Sequence, residues 1–106
     1  MITVNIAKDF TRYPTGRLKK NGATSGEAFR EQFLEEPLSK GEKVQVEFDG
    51  TIGYGSSFLE EAFGGLVRKL RIAPSVLNDI LILKSSDPSI ETEVRQYIEE
   101  SYNSLK

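Results

Sequence analysis

The sequence predicts an α/β fold, a two-layer sandwich in which a mainly parallel sheet of about four strands carries helices mostly on one face. Apolar and polar residues alternate over residues 2–6 and 44–48, as in strands with one buried face, and residues 80–83 are wholly apolar. Segments with helical apolar spacing separate and follow these stretches. Strands separated by helices pair in parallel through right-handed crossovers, which gives the predicted sheet.

The strands differ in how much of their surface they are expected to bury. Residues 2–6 and 44–48 each have one polar face, so the sheet is expected to leave one side open or covered by a partner, including a second copy of the chain. The continuous apolar run at residues 80–83 instead suits an interior strand that is covered on both faces.

The loop and helix after the first strand are predicted from turn and capping residues. Residues 9–23 are polar, and they are interpreted as a solvated loop with a short strand near residues 17–19. Thr24 and Glu27 have the spacing of a capping box, which starts the first helix. That helix is expected to end near Glu36, because Pro37 disfavours a helical residue before it and lacks an amide.

The central stretch, residues 43–70, combines a strand, a glycine-rich turn and an amphipathic helix. Three glycines follow the strand, and a wide apolar stripe begins at Phe58. Ser57 and Glu60 again have capping-box spacing, which predicts a helix start at Ser57. Ser56 is then left outside the cap with a free hydroxyl, at a helix end that favours an anion.

The last third of the chain is predicted to contain a short helical turn, a strand and a final helix. Pro74 can open the helical turn, and residues 80–83 form the strand. Asp87 is the expected cap of the last helix, with Pro88 at its first helical position.

Composition excludes several classes of protein. The 106 residues suit a single domain over residues 1–106, and the formal charge of −2 with mixed signs argues against a nucleic-acid or membrane-surface binder. The chain has no cysteine and no histidine, so it lacks thiol chemistry, the commonest metal ligand and the usual general base. No catalytic residue, cofactor or metal is predicted. Without a membrane-spanning run or a signal-peptide pattern, a cytoplasmic protein is the default expectation.

The residues also resemble a known family. The motifs are S-G-E-x-F-R at residues 25–30, V-x-F-D-G at residues 46–50 and G-S-S-F-L-E-E at residues 55–61. Together, residues 25–67 resemble the bacterial STAS-like domains of unknown function, relatives of anti-sigma-factor antagonists. In those antagonists a serine at the equivalent turn is phosphorylated by a partner kinase, and the serine that lines up here is Ser56. Gly55 stands where the antagonists usually have aspartate.

The resemblance implies a non-catalytic regulatory domain that binds a protein partner, either a kinase-like ATPase or another regulator. Ser56 and Ser57 are the candidate phosphoacceptors of such a switch. The predicted partner-binding residues span the turn and the start of the helix: Gly53, Tyr54, Gly55, Ser56, Phe58, Glu60 and Glu61.

An alternative function is a nucleotide or phosphate site at the same turn. Residues 53–58 read G-Y-G-S-S-F, which partly matches a dinucleotide-binding loop, although Phe58 replaces the third glycine. An enzyme is a third hypothesis, disfavoured because no histidine is available to activate the serines.

Overall fold

The computed structural model describes residues 1–105, and Lys106, the last residue of the predicted domain, lies outside them. Its strands are β1 (Ile2–Asn5), β2 (Val44–Glu47) and β3 (Leu81–Lys84). Two of its helices contain a π-helical turn. Helix α1 comprises Gly26–Phe29, the π turn Arg30–Leu34 and Glu35–Ser39, and helix α2 comprises Ser56–Leu59, the π turn Glu60–Gly64 and Gly65–Leu70. Helix α3 is Pro74–Ile80 and helix α4 is Pro88–Ser104, while Ile6–Phe10 form a single π turn and Lys19–Asn21 a 3-10 turn.

The described residues form a parallel sheet of three strands in the order β1-β2-β3, rather than about four. Ile2 pairs with Val44, and Val44 pairs with Leu81. The strand expected near residues 17–19 does not form, because backbone groups there are bound to α1: the Glu27 amide donates to the Arg17 carbonyl, and the Lys19 amide donates to the Glu27 carboxylate.

The position of β3 corrects one prediction. It is an edge strand, and the interior position belongs to β2. Leu81 and Leu83 are buried, whereas Ile82 is half-buried and Lys84 is exposed. The run at residues 80–83 is therefore covered on one face only, and Ile80 belongs to the preceding helix.

The two-layer arrangement is confirmed. Alternate residues of β2 and β3 are buried, as is Val4 of β1, and these residues form one core with the apolar stripes of the helices. The opposite face of the sheet is partly open and mostly polar, and there Glu47 accepts hydrogen bonds from Asn5 and Gln45. One helical layer thus covers one sheet face, as the alternation of residues 44–48 predicts.

An aromatic cluster lies where α1 and α2 pack against the sheet. The ring of Phe29 on α1 lies 5.9 Å from that of Phe58 and 6.3 Å from that of Phe63, both on α2. Phe63 in turn lies 5.8 Å from Phe48, at the end of β2. Phe10 adds a fifth ring from the π turn after β1, 5.5 Å from Phe29. This burial of large apolar rings fixes the position of α2 relative to β2.

The start and end of α1 differ from the prediction. The cap is Ser25, whose hydroxyl accepts from the Ala28 amide at 3.2 Å, and Thr24 does not have this role. The helix also continues past Pro37 to Ser39. Its π turn lies just before the proline and widens the backbone there, a common way for a helix to accommodate a residue that cannot donate.

The predictions for the last two helices are confirmed. Pro74 opens α3, which is a short helix, and Asp87 caps α4 by accepting from the Ser89 amide at 3.0 Å. Pro88 is the first helical residue, where its missing amide has no cost.

Gly26 is a point of close approach between α1 and α2. A Cβ atom at this position would lie 2.4 Å from the Phe58 carbonyl oxygen and 3.1 Å from the Ala62 nitrogen, both of which are backbone atoms. Gly26→Ala is therefore expected to force the helices apart and to lower the free energy of unfolding by about 2–3 kcal/mol. Urea unfolding measures the change.

Gly55→Ala is the control for this substitution. It adds the same methyl group where the nearest atom would be 3.8 Å away and φ is −72°, so its cost should stay below about 1 kcal/mol. Equal losses in the two variants would contradict the close-approach argument.

Candidate functional site

The glycine-rich turn is held in place by three hydrogen bonds. The Tyr54 hydroxyl donates to the Phe48 carbonyl at 2.6 Å, which returns the turn to the end of β2. The Ile52 amide donates to the Arg12 carbonyl at 3.0 Å, and the Gly55 amide donates to the Pro14 carbonyl at 3.2 Å. Burial raises the pKa of Tyr54 to about 12, so its hydroxyl remains a donor at neutral pH. The turn and residues 12–14 therefore form one surface.

Helix α2 begins one residue earlier than predicted. Gly55 is the N-cap residue, no side chain caps the helix, and Ser56 is its first residue. The predicted capping box of Ser57 and Glu60 is thus wrong. Glu60 binds two arginines instead, since a guanidinium is a stronger partner for a carboxylate than a neutral amide. Both serines lie in the first helical turn, and both are exposed.

The predicted partner-binding residues divide by accessibility. Gly53 and Ser56 are exposed, and Tyr54 and Gly55 are half-buried. The side chain of Phe58 is fully buried in the aromatic cluster, so a partner cannot reach it. The remaining two, Glu60 and Glu61, have partly buried side chains that are engaged in ion pairs.

Glu60 and Glu61 share a cluster of arginines. Arg17 Nη1 lies 2.5 Å from a Glu60 oxygen and 3.4 Å from a Glu61 oxygen. Arg68 Nη1 lies 2.6 Å from Glu60, and Arg68 Nη2 lies 3.8 Å from Glu61. Although adjacent helical residues point in directions about 100° apart, the long arginine side chains bridge the two carboxylates. The loop that contains Arg17 is thereby fixed to α2.

The buried member of this cluster is Arg30. Its guanidinium donates to the Glu35 carboxylate at 2.8 Å, and to the carboxylate and backbone carbonyl of Glu61 at 2.6 and 3.0 Å. It occupies the space beside Gly65, where a Cβ would lie 2.2 Å from Arg30 Nη1. At Gly64 a Cβ would similarly lie 2.5 Å from a Glu60 oxygen. The two glycines therefore make room for the ion pairs.

A second feature of the site is an apolar cleft beside the serines. It has a volume of about 390 Å³ and is lined by residues 53–55 together with Tyr13, Thr15 and Ile52. Tyr13 is 62% exposed and Ile52 is 74% exposed. Sequence reasoning missed both residues, and it also missed Arg17. The sequence does contain a signal for Ile52: a large apolar residue between Gly50 and Gly53 is unusual, because turns are built mainly from small and polar residues.

The geometry gives little support to a nucleotide site at the turn. The Gly55 amide, which a phosphate-binding loop would present to its ligand, already donates to Pro14. Phe58 occupies the core instead of allowing close approach of a ligand. Within residues 1–105, no three acidic side chains are placed to hold a metal ion.

Comparison with known proteins gives one family. A family model described as a STAS-like domain of unknown function matches residues 25–91, well over half of the chain. The chain belongs to this family. The matched residues include β2, β3 and all of the Gly53–Glu61 region. The resemblance of residues 25–67 to STAS-like domains is therefore confirmed. Searches of curated proteins and of solved structures gave no match.

Among the helices of residues 1–105, none has both the length and the apolar character needed to cross a bilayer.

The buried arginine yields a prediction on stability. Arg30→Met keeps the apolar stem but leaves the partly buried carboxylates of Glu35 and Glu61 without their main partner, so the free energy of unfolding should fall by about 3 kcal/mol. Chemical denaturation measures it. Arg68→Met, at a side chain that is 39% exposed, should cost under about 1 kcal/mol, and an equal or larger loss there would refute the assignment.

The ion pairs of Glu60 yield a prediction on pH dependence. The hydrogen bond from Arg68 lowers the pKa of Glu60; burial opposes this shift, and Arg17 reinforces it. A lowered pKa in the folded state adds stability above the unfolded-state value, and this stability is lost as the pH falls through the folded-state value. The stability difference between wild type and Glu60→Gln should therefore be largest at neutral pH and shrink below about pH 4.5.

Denaturant unfolding across this pH range tests the effect. Glu99→Gln, which removes an exposed carboxylate that forms no ion pair with residues 1–105, is the matched control. A Glu60→Gln difference that stays constant from neutral to acidic pH would show that the ionised carboxylate is not what stabilises the fold.

Proposed function

We propose that the chain is a non-catalytic interaction domain that binds a regulatory protein through the serine end of α2 and the adjoining apolar cleft. The observation that carries this proposal is the position of Tyr13 and Ile52, two exposed apolar side chains on one cleft beside the exposed Ser56 and Ser57. Single exposed apolar residues are ordinary, but apolar residues that share a cleft are typical of interaction sites.

The rigidity of this surface supports the proposal. Its turn is tied to β2 through Tyr54 and to residues 12–14 through two backbone hydrogen bonds. A surface that is ordered before binding loses less conformational entropy when a partner docks.

We further propose that phosphorylation at this turn controls docking, with Ser56 as the acceptor and Ser57 as the second candidate. The first turn of a helix favours a phosphate electrostatically, so the modification would not unfold α2. Glu60 and Glu61 are neutralised in part by Arg17 and Arg68, which reduces their repulsion of a phosphate. A hydrated dianion beside the apolar cleft would instead weaken binding of the partner.

The family resemblance suggests the kind of partner, a kinase-like ATPase or another regulator. A second copy of the chain is the other candidate partner, since it would cover the partly open face of the sheet. The mass of a cross-linked product separates the two partners.

Site-specific cross-linking tests the docking surface. A photo-reactive amino acid at position 52 is expected to capture a discrete protein in the native host, whereas the same amino acid at position 76 should not. Val76 is the matched control, because it is an exposed apolar residue (52%) outside the cleft. It lies in α3, which leads into the amino end of β3, whereas the turn that contains Ile52 follows the carboxyl end of β2. Capture of the same protein from both positions, or from neither, would refute the proposed surface.

The switch is tested separately on the captured partner. Ser56→Glu is expected to weaken binding at least about tenfold, while Ser56→Ala should leave it unchanged. Mass spectrometry of the peptide that contains Ser56 and Ser57, from protein made in the native host, should detect phosphate. Docking without phosphate, and without an effect of Ser56→Glu, would eliminate the switch and retain the interaction domain.

A further inference from the structure

A second cleft lies at the carboxyl ends of β1 and β2 and shares no lining residue with the apolar one. It has a volume of about 410 Å³ and is lined by Asn5, Ala7, Lys8, Arg12, Asp49 and Gly50. The volume falls in the usual range of small-ligand sites. Its walls are two loops, each of which directly follows a strand, and such edges of parallel sheets are common binding positions.

The two loops are held together at the floor of this cleft. Gly50 has φ of +105°, which favours glycine, and a Cβ there would lie only 3.1 Å from the Ala7 side chain. Asp49 is braced by the loop after β3, since the backbone amide and the hydroxyl of Ser86 each donate to Asp49 Oδ1 at 3.0 Å. The cleft is therefore formed by two loop segments, and the loop after β3 braces one of them.

The cleft contains two cations, Lys8 and Arg12. They differ from Arg17, Arg30 and Arg68, which pair with carboxylates. Lys8 and Arg12 are exposed, and no carboxylate oxygen of residues 1–105 lies within salt-bridge distance of either side chain. The N–H groups of cations that have no carboxylate partner remain available to donate hydrogen bonds to a ligand in the cleft.

Two acids lie near these cations, and both accept hydrogen bonds from backbone amides. Asp49 receives two hydrogen bonds from Ser86, and it lies close to the N-terminal end of α4, where the helix dipole offsets negative charge. Asp9, outside the lining, accepts from the Asn5 amide at 2.8 Å. Oδ2 of Asp49 still has room to accept a hydrogen bond from a ligand hydroxyl.

We infer that this cleft binds a small phosphorylated sugar or nucleotide, with Lys8 and Arg12 on the phosphate and Asp49 on a sugar hydroxyl. This site is separate from the proposed docking cleft, and it does not depend on a protein partner or on phosphorylation of Ser56. The shared chemistry of the ligand is a phosphate ester that carries free hydroxyl groups.

An NMR titration of the full chain tests the inference, with ribose 5-phosphate as the probe. The amide signals of Lys8, Arg12 and Gly50 should shift saturably, with Kd of about 1 mM or tighter. Ribose alone should bind at least about tenfold more weakly, because it lacks the charged group. AMP binding at the same amides would place nucleotides within the ligand class.

Substitutions then assign the contacts. Lys8→Gln and Arg12→Gln should each weaken ribose 5-phosphate binding about tenfold. Lys20→Gln and Arg71→Gln, at exposed cations of the same types outside the cleft, should leave it unchanged. The wild-type spectrum outside the cleft reports whether each variant remains folded.

Three results would overturn the inference. The first is the absence of saturable shifts at these amides, and the second is an equal loss of affinity in the control variants. The third is binding of inorganic phosphate as tight as that of ribose 5-phosphate, since the cleft would then recognise an anion without the sugar.

Discussion

The close contact between α1 and α2 at Gly26 determines where the candidate site lies. Because Gly26 lacks a side chain, the start of α1 rests directly on the backbone of α2 near Phe58. The loop before α1 is then held across α2, since the Gly26 amide donates to the Gly16 carbonyl at 3.0 Å. From this position Arg17 reaches Glu60, and the preceding residues 12–14 meet the glycine-rich turn. A backbone contact in the core thus brings together two surface segments that are far apart in sequence.

The ion pairs of α2 also hold α1 and the loop before it against α2. Arg17, Arg30 and Arg68 balance Glu35, Glu60 and Glu61, and no buried side-chain nitrogen or oxygen of residues 1–105 lacks a hydrogen-bond partner. Glycines within a helix ordinarily destabilise it by about 0.5–1 kcal/mol each. At Gly64 and Gly65 this loss is offset because the missing side chains leave space for the ion pairs, those of Glu60 beside Gly64 and that of Arg30 with Glu61 beside Gly65.

Local sequence patterns predicted the helices and strands well. They failed where tertiary contacts determine which residue caps a helix or where a strand lies in the sheet. Alternation at residues 44–48 identified β2 and its buried face, and Asp87 with Pro88 identified the start of α4. The two capping boxes failed because both glutamates bind other groups: Glu27 accepts from the Lys19 amide, and Glu60 pairs with Arg17 and Arg68, contacts that capping-box spacing does not reveal. Of the site residues that the sequence did not predict, Arg17 belongs to the loop before α1, whereas Tyr13 and Ile52 come from two other segments that meet at the apolar cleft. Exposure of Ser56 was predicted correctly, but from a helix start one residue too late.

The all-parallel pairing of the sheet also has a consequence for how the chain folds. Neither strand pair can begin as a hairpin, because a helical crossover separates β1 from β2 and β2 from β3. Each pairing must first close a long loop, and chains dominated by such distant contacts reach their native state slowly. During synthesis the central strand gains its second neighbour only when Leu81–Lys84 have left the ribosome. Until then, β2 presents an open hydrogen-bonding edge on which a nascent chain is vulnerable to aggregation.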